Sequence, residues 1–181
     1  VGEVVVFAPA QEQSGVGTAI SLHRSVGLSK VETKLPGVPA FAVDGTPGDA
    51  VILGLEIMKD IGLVVSGINC GANMGCDVLL SGTVGAALQG YIHGKPSVAV
   101  SVQGRQDSRF EVAARVASLL ARRIAGDGTG PILLNVNVPN LAQGRLARLY
   151  ALLHGFDARL QGDQIPPRYA EFGLRLLKID S

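Results

Sequence analysis

Apolar positions recur along this chain with two alternating spacings, and that alternation predicts the fold. Val4 to Phe7 is a continuous apolar run bounded by Ala8-Pro9, the pattern of a strand buried on both faces in a parallel sheet. A loop from Gln11 to Ile20 follows, and Ala40 to Val43 forms another short apolar run stopped by Asp44-Gly45-Thr46-Pro47-Gly48. From Asp49, placed as an N-cap, Ala50, Leu53, Leu55, Ile57 and Met58 fit a buried helix. Leu63-Val64-Val65 reads as a second buried strand, and Ser66 to Ser81 as a long, glycine-studded loop of the kind compact domains keep for function.

Gly82 to Gly90 reads as a short helix with Ser81 as its N-cap, and Gly85, Ala86 and Ala87 would let it lie close against a sheet. Pro96 to Val102 contains another strand. Glu111 to Ala125 places Val112, Val116, Leu119, Leu120 and Ile124 at helical spacing, and Ile132 to Val138 is a last strand stopped by Pro139. Strand, helix, strand, helix, strand implies an α/β fold, a three-layer Rossmann-like sandwich around a mostly parallel sheet. The texture changes after Asn140: Leu146, Leu149, Leu152, Leu153 and Phe156 suit a helix, and Pro166-Pro167 breaks the chain before a leucine-rich end. Residues 1–140 therefore form the expected α/β core and residues 141–181 a distinct C-terminal tail.

Composition narrows the function. A chain of 181 residues with 47% hydrophobic positions closes one substantial core. Its net charge of +1 supplies no phosphate-neutralising field for a nucleic-acid duplex, and five Phe, three Tyr and no Trp leave few platforms for single strands. The run Val4 to Ala10 holds a proline and falls far short of the ~18 apolar residues of a membrane span. With no basic and apolar export signal in view, the cytoplasm is the expected compartment. Cys70 and Cys76 match neither a zinc pair nor a thioredoxin-type spacing and read as reduced thiols.

Candidate chemistry gathers where ligands bind in open parallel sheets, beyond the carboxyl ends of the strands. Ser14 follows the first strand, Asn69 follows Val64-Val65, and Ser81-Gly82-Thr83 opens a helix beyond the same loop. A hydroxyl and an amide oxygen are hard, neutral donors suited to magnesium or manganese, and a helix start offers backbone N–H groups to phosphate. Each residue also has a plainer reading. Ser14 satisfies turn N–H groups, Asn69 is a turn residue before Cys70-Gly71, and Ser81 is only an N-cap. Asp44 and Asp77 read as capping or surface carboxylates, and His23, His93 and His154 stand apart from any metal spacing. Gly15-x-Gly17 lacks the third small residue of a dinucleotide fingerprint, since position 20 is Ile, which leaves a nicotinamide-cofactor domain as a weaker option. Glu12 stands where a nucleophile elbow around Ser14 needs glycine.

Taken together, five ordered motifs resemble the SurE family, the survival-protein-E 5'/3'-nucleotidases. They are Val5-Val6-Phe7-Ala8-Pro9 running to Ser14-Gly15; Gly45-Thr46-Pro47; Val64-Val65-Ser66-Gly67-Ile68-Asn69-x-Gly71-x-Asn73-x-Gly75; Ser81-Gly82-Thr83-Val84; and Leu134-Asn135-Val136-Asn137-Val138-Pro139. The resemblance implies a Rossmann-like fold, hydrolysis of nucleoside monophosphates, a divalent cation (Mg or Mn), and homodimers or homotetramers built partly through C-terminal segments. It assigns Ser14 and Asn69 as metal ligands and Gly71, Ser81, Gly82 and Thr83 to phosphate or substrate. It also implies two further ligands, adjacent aspartates in an Asn-Asp-Asp-Gly motif after a strand ahead of Val1. This chain contains no Asp-Asp pair, and Ala10, Leu80 and Gln89 stand where the family often has Asp, Tyr and Glu. Two expectations follow. One is a metal-dependent phosphomonoesterase whose catalytic aspartates lie outside this sequence; the other is a catalytically silent phosphate- or nucleotide-binding module or truncated subunit.

Overall fold

A computed structural model describes residues 2–104, 107–126 and 130–140. Its elements run β1 (Val6–Pro9), β2 (Leu28–Val31), β3 (Ala40–Val43), α1 (Pro47–Ile57), β4 (Val64–Cys70), α2 (Asp77–Leu80), α3 (Gly82–Ile92), β5 (Ser97–Val102), α4 (Phe110–Gly126) and β6 (Leu133–Val138). The strands form two three-stranded sheets, ordered β1-β3-β2 and β4-β5-β6. All pairings are parallel except β2 with β3.

The second sheet is the filling of a three-layer α/β sandwich. Side chains alternate along β5 and β6, so Val98, Val100, Val102, Leu134, Val136 and Val138 meet Val112, Val116 and Ile124 of α4 on one face. Ala99 and Leu133 meet Val84 and Ala87 of α3 on the other. Close approach of α3 to the sheet falls to Gly90, where a Cβ would collide with Ser97 Oγ and Val64. Gly85, expected at the same surface, instead abuts the backbone of Gly17 in the loop after β1. Residues on α3 thereby hold the two halves of the molecule together, with α1 packed beside α3 and Gly54 of α1 resting on the Phe7 ring.

Several sequence expectations are corrected. The first strand is Val6–Pro9 and is not buried on both faces: its residues alternate between exposed and half-buried, because α1 packs on the face that carries Phe7 while the other face stays open. The strand after Leu63 runs on to Cys70, through a register shift between Ser66 and Asn69, so Asn69 is a strand residue rather than a turn residue and the loop beyond it is short. At the shift, Gly67 has φ +117° and lies against the Val100 carbonyl, a position no side chain could share. The N-cap of α1 is Thr46, not Asp49. Asp49 is the third helical residue and completes a capping box, accepting from Thr46 N–H while the Thr46 hydroxyl accepts from Asp49 N–H. Asp44 pairs with Arg24 at 3.5 Å rather than capping its own turn. Strand β2 escaped sequence reading because Leu28-Ser29-Lys30-Val31 is exposed throughout and shows no burial period. The helix expected around Leu146 to Phe156, the role of residues 141–181 and the C-terminal oligomer contacts lie outside the described residues, as does His154.

Candidate functional site

All six residues singled out from sequence, Ser14, Asn69, Gly71, Ser81, Gly82 and Thr83, line one cleft of about 1030 Å³. Its walls are β1 and the loop after it on one side, β4 and the loop after it on the other, and the start of α3 across the end.

The loop carrying Ser14 is tied down from α1. The Ser21 N–H and hydroxyl donate to the Asp49 carboxylate at 2.8 and 2.7 Å, and the Thr46 hydroxyl donates to the Ala19 carbonyl at 2.7 Å. Burial alone would raise the Asp49 carboxyl, but the hydrogen bonds from Ser21 and Thr46 outweigh it and hold the group below the ordinary carboxylate range. Gly17 N–H donates to the Leu80 carbonyl at 2.9 Å, and a Cβ on Gly82 would touch Pro47, Val16 and the Gln13 carbonyl. The Ser14 loop is thus pressed against the N-terminus of α3.

That N-terminus is capped as expected: the Ser81 hydroxyl accepts from Val84 N–H at 3.2 Å, and no acidic residue occupies the first turn. The first N–H groups of the helix, on Gly82 and Thr83, have no intrahelical acceptor and carry the positive end of the dipole. Ser81 and Gly82 are buried, whereas the Thr83 side chain is half-buried. Gly71 contributes differently. Its N–H donates to the Val102 carbonyl at 2.9 Å and its carbonyl accepts from Asn69 Nδ2 at 2.7 Å, so it shapes the wall and has no spare donor.

Ser14 and Asn69 share a feature relevant to cation binding. The exposed Ser14 hydroxyl donates to Glu12 Oε1 at 2.8 Å, and the half-buried Asn69 amide donates through Nδ2. In both, the donor end is anchored and an oxygen remains as acceptor, as a hard cation requires. Sequence reasoning passed over Glu12, which lines the same cleft along with Asp77. Its signal was only its position two residues before Ser14. Among the described residues there is no group of three or more His, Cys, Asp or Glu able to hold a metal. The residues present therefore fit part of a magnesium or manganese shell, with neutral donors predominating. The cysteines form no disulfide; Cys70 Sγ lies 3.2 Å from Ser108 Oγ. His93 Nδ1 lies 2.7 Å from the Gln89 carbonyl at the end of α3, away from any ligand set. Among the described residues no helix is long and apolar enough to cross a membrane.

Residues 1–154 match the family model described as survival protein SurE. A relative named 5'-nucleotidase SurE from Dehalococcoides mccartyi is 47% identical over 154 residues, covering 82% of this chain and 58% of the relative. Another of the same name from Moorella thermoacetica is 44% identical over 155 residues, with the same shares covered. The crystal structure of a SurE protein from Aquifex aeolicus superposes with a TM-score of 0.67 at 38% identity, covering 78% of this chain and 57% of that one. The chain thus spans under three-fifths of the length of these curated relatives.

Proposed function

The chain belongs to the SurE family, and from that premise we propose that it is the α/β core of a metal-dependent phosphomonoesterase acting on nucleoside 5'- or 3'-monophosphates. The observation that carries this reading is the convergence of Ser14, Asn69 and the α3 N-terminus on one cleft. Ser14 Oγ and Asn69 Oδ1 would hold the cation, magnesium or manganese, and the N–H groups of Gly82 and Thr83 would hold non-bridging phosphate oxygens. When bound, the cation supplies positive charge that polarises the phosphoryl group and acidifies a nearby water. The protein's own part is positional. Glu12 takes up the Ser14 proton in a hydrogen bond and so leaves the oxygen's lone pairs to accept, Gly71 fixes the Asn69 amide, and the dipole of α3 would meet the negative charge that shifts during hydrolysis.

We further propose that an additional strand, ending in the Asn-Asp-Asp-Gly motif that the resemblance implies, completes the site between β1 and β4. Each of these strands has an edge without a strand partner among the described residues, and residues of both edges line the same cleft. Such a strand would bring the negative charge that two neutral ligands lack. The test is phosphate release: the polypeptide carrying that strand ahead of Val1, supplied with magnesium or manganese, is expected to dephosphorylate a nucleoside monophosphate. Release from no nucleoside monophosphate would overturn the reading.

The scarcity of carboxylates around the described cleft favours a second reading, in which residues 1–181 alone form a silent phosphate- or nucleotide-binding module. Tight manganese binding by these residues alone, read by calorimetric titration, would contradict this second reading and the need for added carboxylates together.

A further inference from the structure

The short loop beyond β4 is anchored by an amide cluster that core formation does not require. Asn73, 6% exposed, donates its N–H to Asn137 Oδ1 at 2.7 Å and receives Asn137 Nδ2 on its carbonyl at 3.1 Å. One side-chain amide thus satisfies both polar groups of one residue, as a neighbouring strand would. Asn135 Nδ2 donates to the same carbonyl at 2.9 Å, and Asn73 Nδ2 donates to Ser101 Oγ at 2.8 Å. Ser101 and Asn137 sit side by side in the β5–β6 register. The anchoring strands lie 28 to 64 residues from the loop in sequence.

Valine at 135 and 137 would bury more cheaply, as it does at 136 and 138. Asn135 Oδ1 is buried without a partner, a cost of about 1 to 3 kcal/mol that an apolar side chain would avoid. What these polar groups hold is the stretch from Asn69 to Asn73, a wall of the cleft. We infer that Asn135 and Asn137 are positioning residues: acting through Asn73, they set the placement of Asn69 and Gly71 relative to the phosphate-binding end of α3. This rests on the phosphomonoesterase reading above.

The test is residue-resolved NMR on the 181-residue chain and its Asn137→Leu variant, reading amide exchange and titration with inorganic phosphate. In the variant, exchange at Asn73 should accelerate by roughly 100-fold while Val100 and Val136 keep their protection. In the parent, phosphate should shift Gly82 and Thr83 by contact and Asn69 and Gly71 by its charge across the same cleft; in the variant, only Gly82 and Thr83 should shift. A merely structural role would weaken all four responses together or none. Protection retained at Asn73, or an Asn69 and Gly71 response retained at unchanged apparent affinity, overturns the inference. A parent chain whose four residues all ignore phosphate overturns the underlying reading instead, and the inference with it. Should Asn137→Leu not fold, Ser101→Ala removes a single bond and should give the same local pattern at about ten-fold.

Discussion

Strands β5 and β6 of one sheet and β1 and β2 of the other end in opposite conditions. Every residue of β5 and β6 is buried, whereas β1 alternates between exposed and half-buried and β2 is exposed along its length. Val100 is 0% exposed and Val6 is 37% exposed, though both are β-branched residues in parallel strands. Composition does not decide burial; neighbours do. Strand β5 has a strand on each side, α3 on one face and α4 on the other, while β1 has β3 on one edge and α1 as its helix. The β4 wall of the cleft is therefore backed by a finished core, and the opposite wall is held by loop-to-helix staples.

The sharpest way to break this comparison is to place a charge in each half. Val100→Asp should lower stability by about 4 kcal/mol or abolish folding, because an unpaired carboxylate would lie where no water reaches. Urea denaturation reads the loss; Val6→Asp should cost under about 1 kcal/mol in the same experiment, since its side chain already meets solvent. Gly85→Ala comes next, at roughly 2 kcal/mol, since the new methyl would press on the Gly17 backbone and part the Ser14 loop from α3. A thermal unfolding scan checks it.

Much of the well-packed half was legible in sequence. The apolar periods of α4, β5 and β6 report burial directly, and Ser81 before a small-residue run announces the cap of α3. The open half is less legible for a physical reason: β2 is exposed along its length and displays no burial period, and the apolar run of β1 continues across a face that stays open to solvent, so the sequence hides β2 and suggests a fully buried β1. Among site residues, hydroxyl and amide side chains following strands drew notice because their chemistry is distinctive. Glu12 is legible only as a mismatch to a nucleophile elbow, and Asn73, Asn135 and Asn137 only as motif positions, since the anchoring of Asn73 depends on partners 28 to 64 residues away.

The staples of the open half are the place to sharpen the comparison. Thr46→Ala removes one arm of the capping box and the bond to Ala19, and should cost about 1 to 2 kcal/mol by denaturant midpoint. Asp49 adds a pH signature. Its folded-state carboxyl lies below its ordinary value of 3.8, so its contribution is fully present above that value and is lost as pH falls through the lowered one. Asp49→Asn should cost about 1 kcal/mol at neutral pH and flatten that acid limb in an acid titration of stability.

The proposed pairing of Ser14 and Asn69 as ligands from opposite walls of one cleft is tested most directly by manganese calorimetry on the strand-completed polypeptide. Ser14→Ala and Asn69→Ala should each weaken manganese binding by ~10-fold or more, with the fold retained. Affinity unchanged in either variant would contradict it.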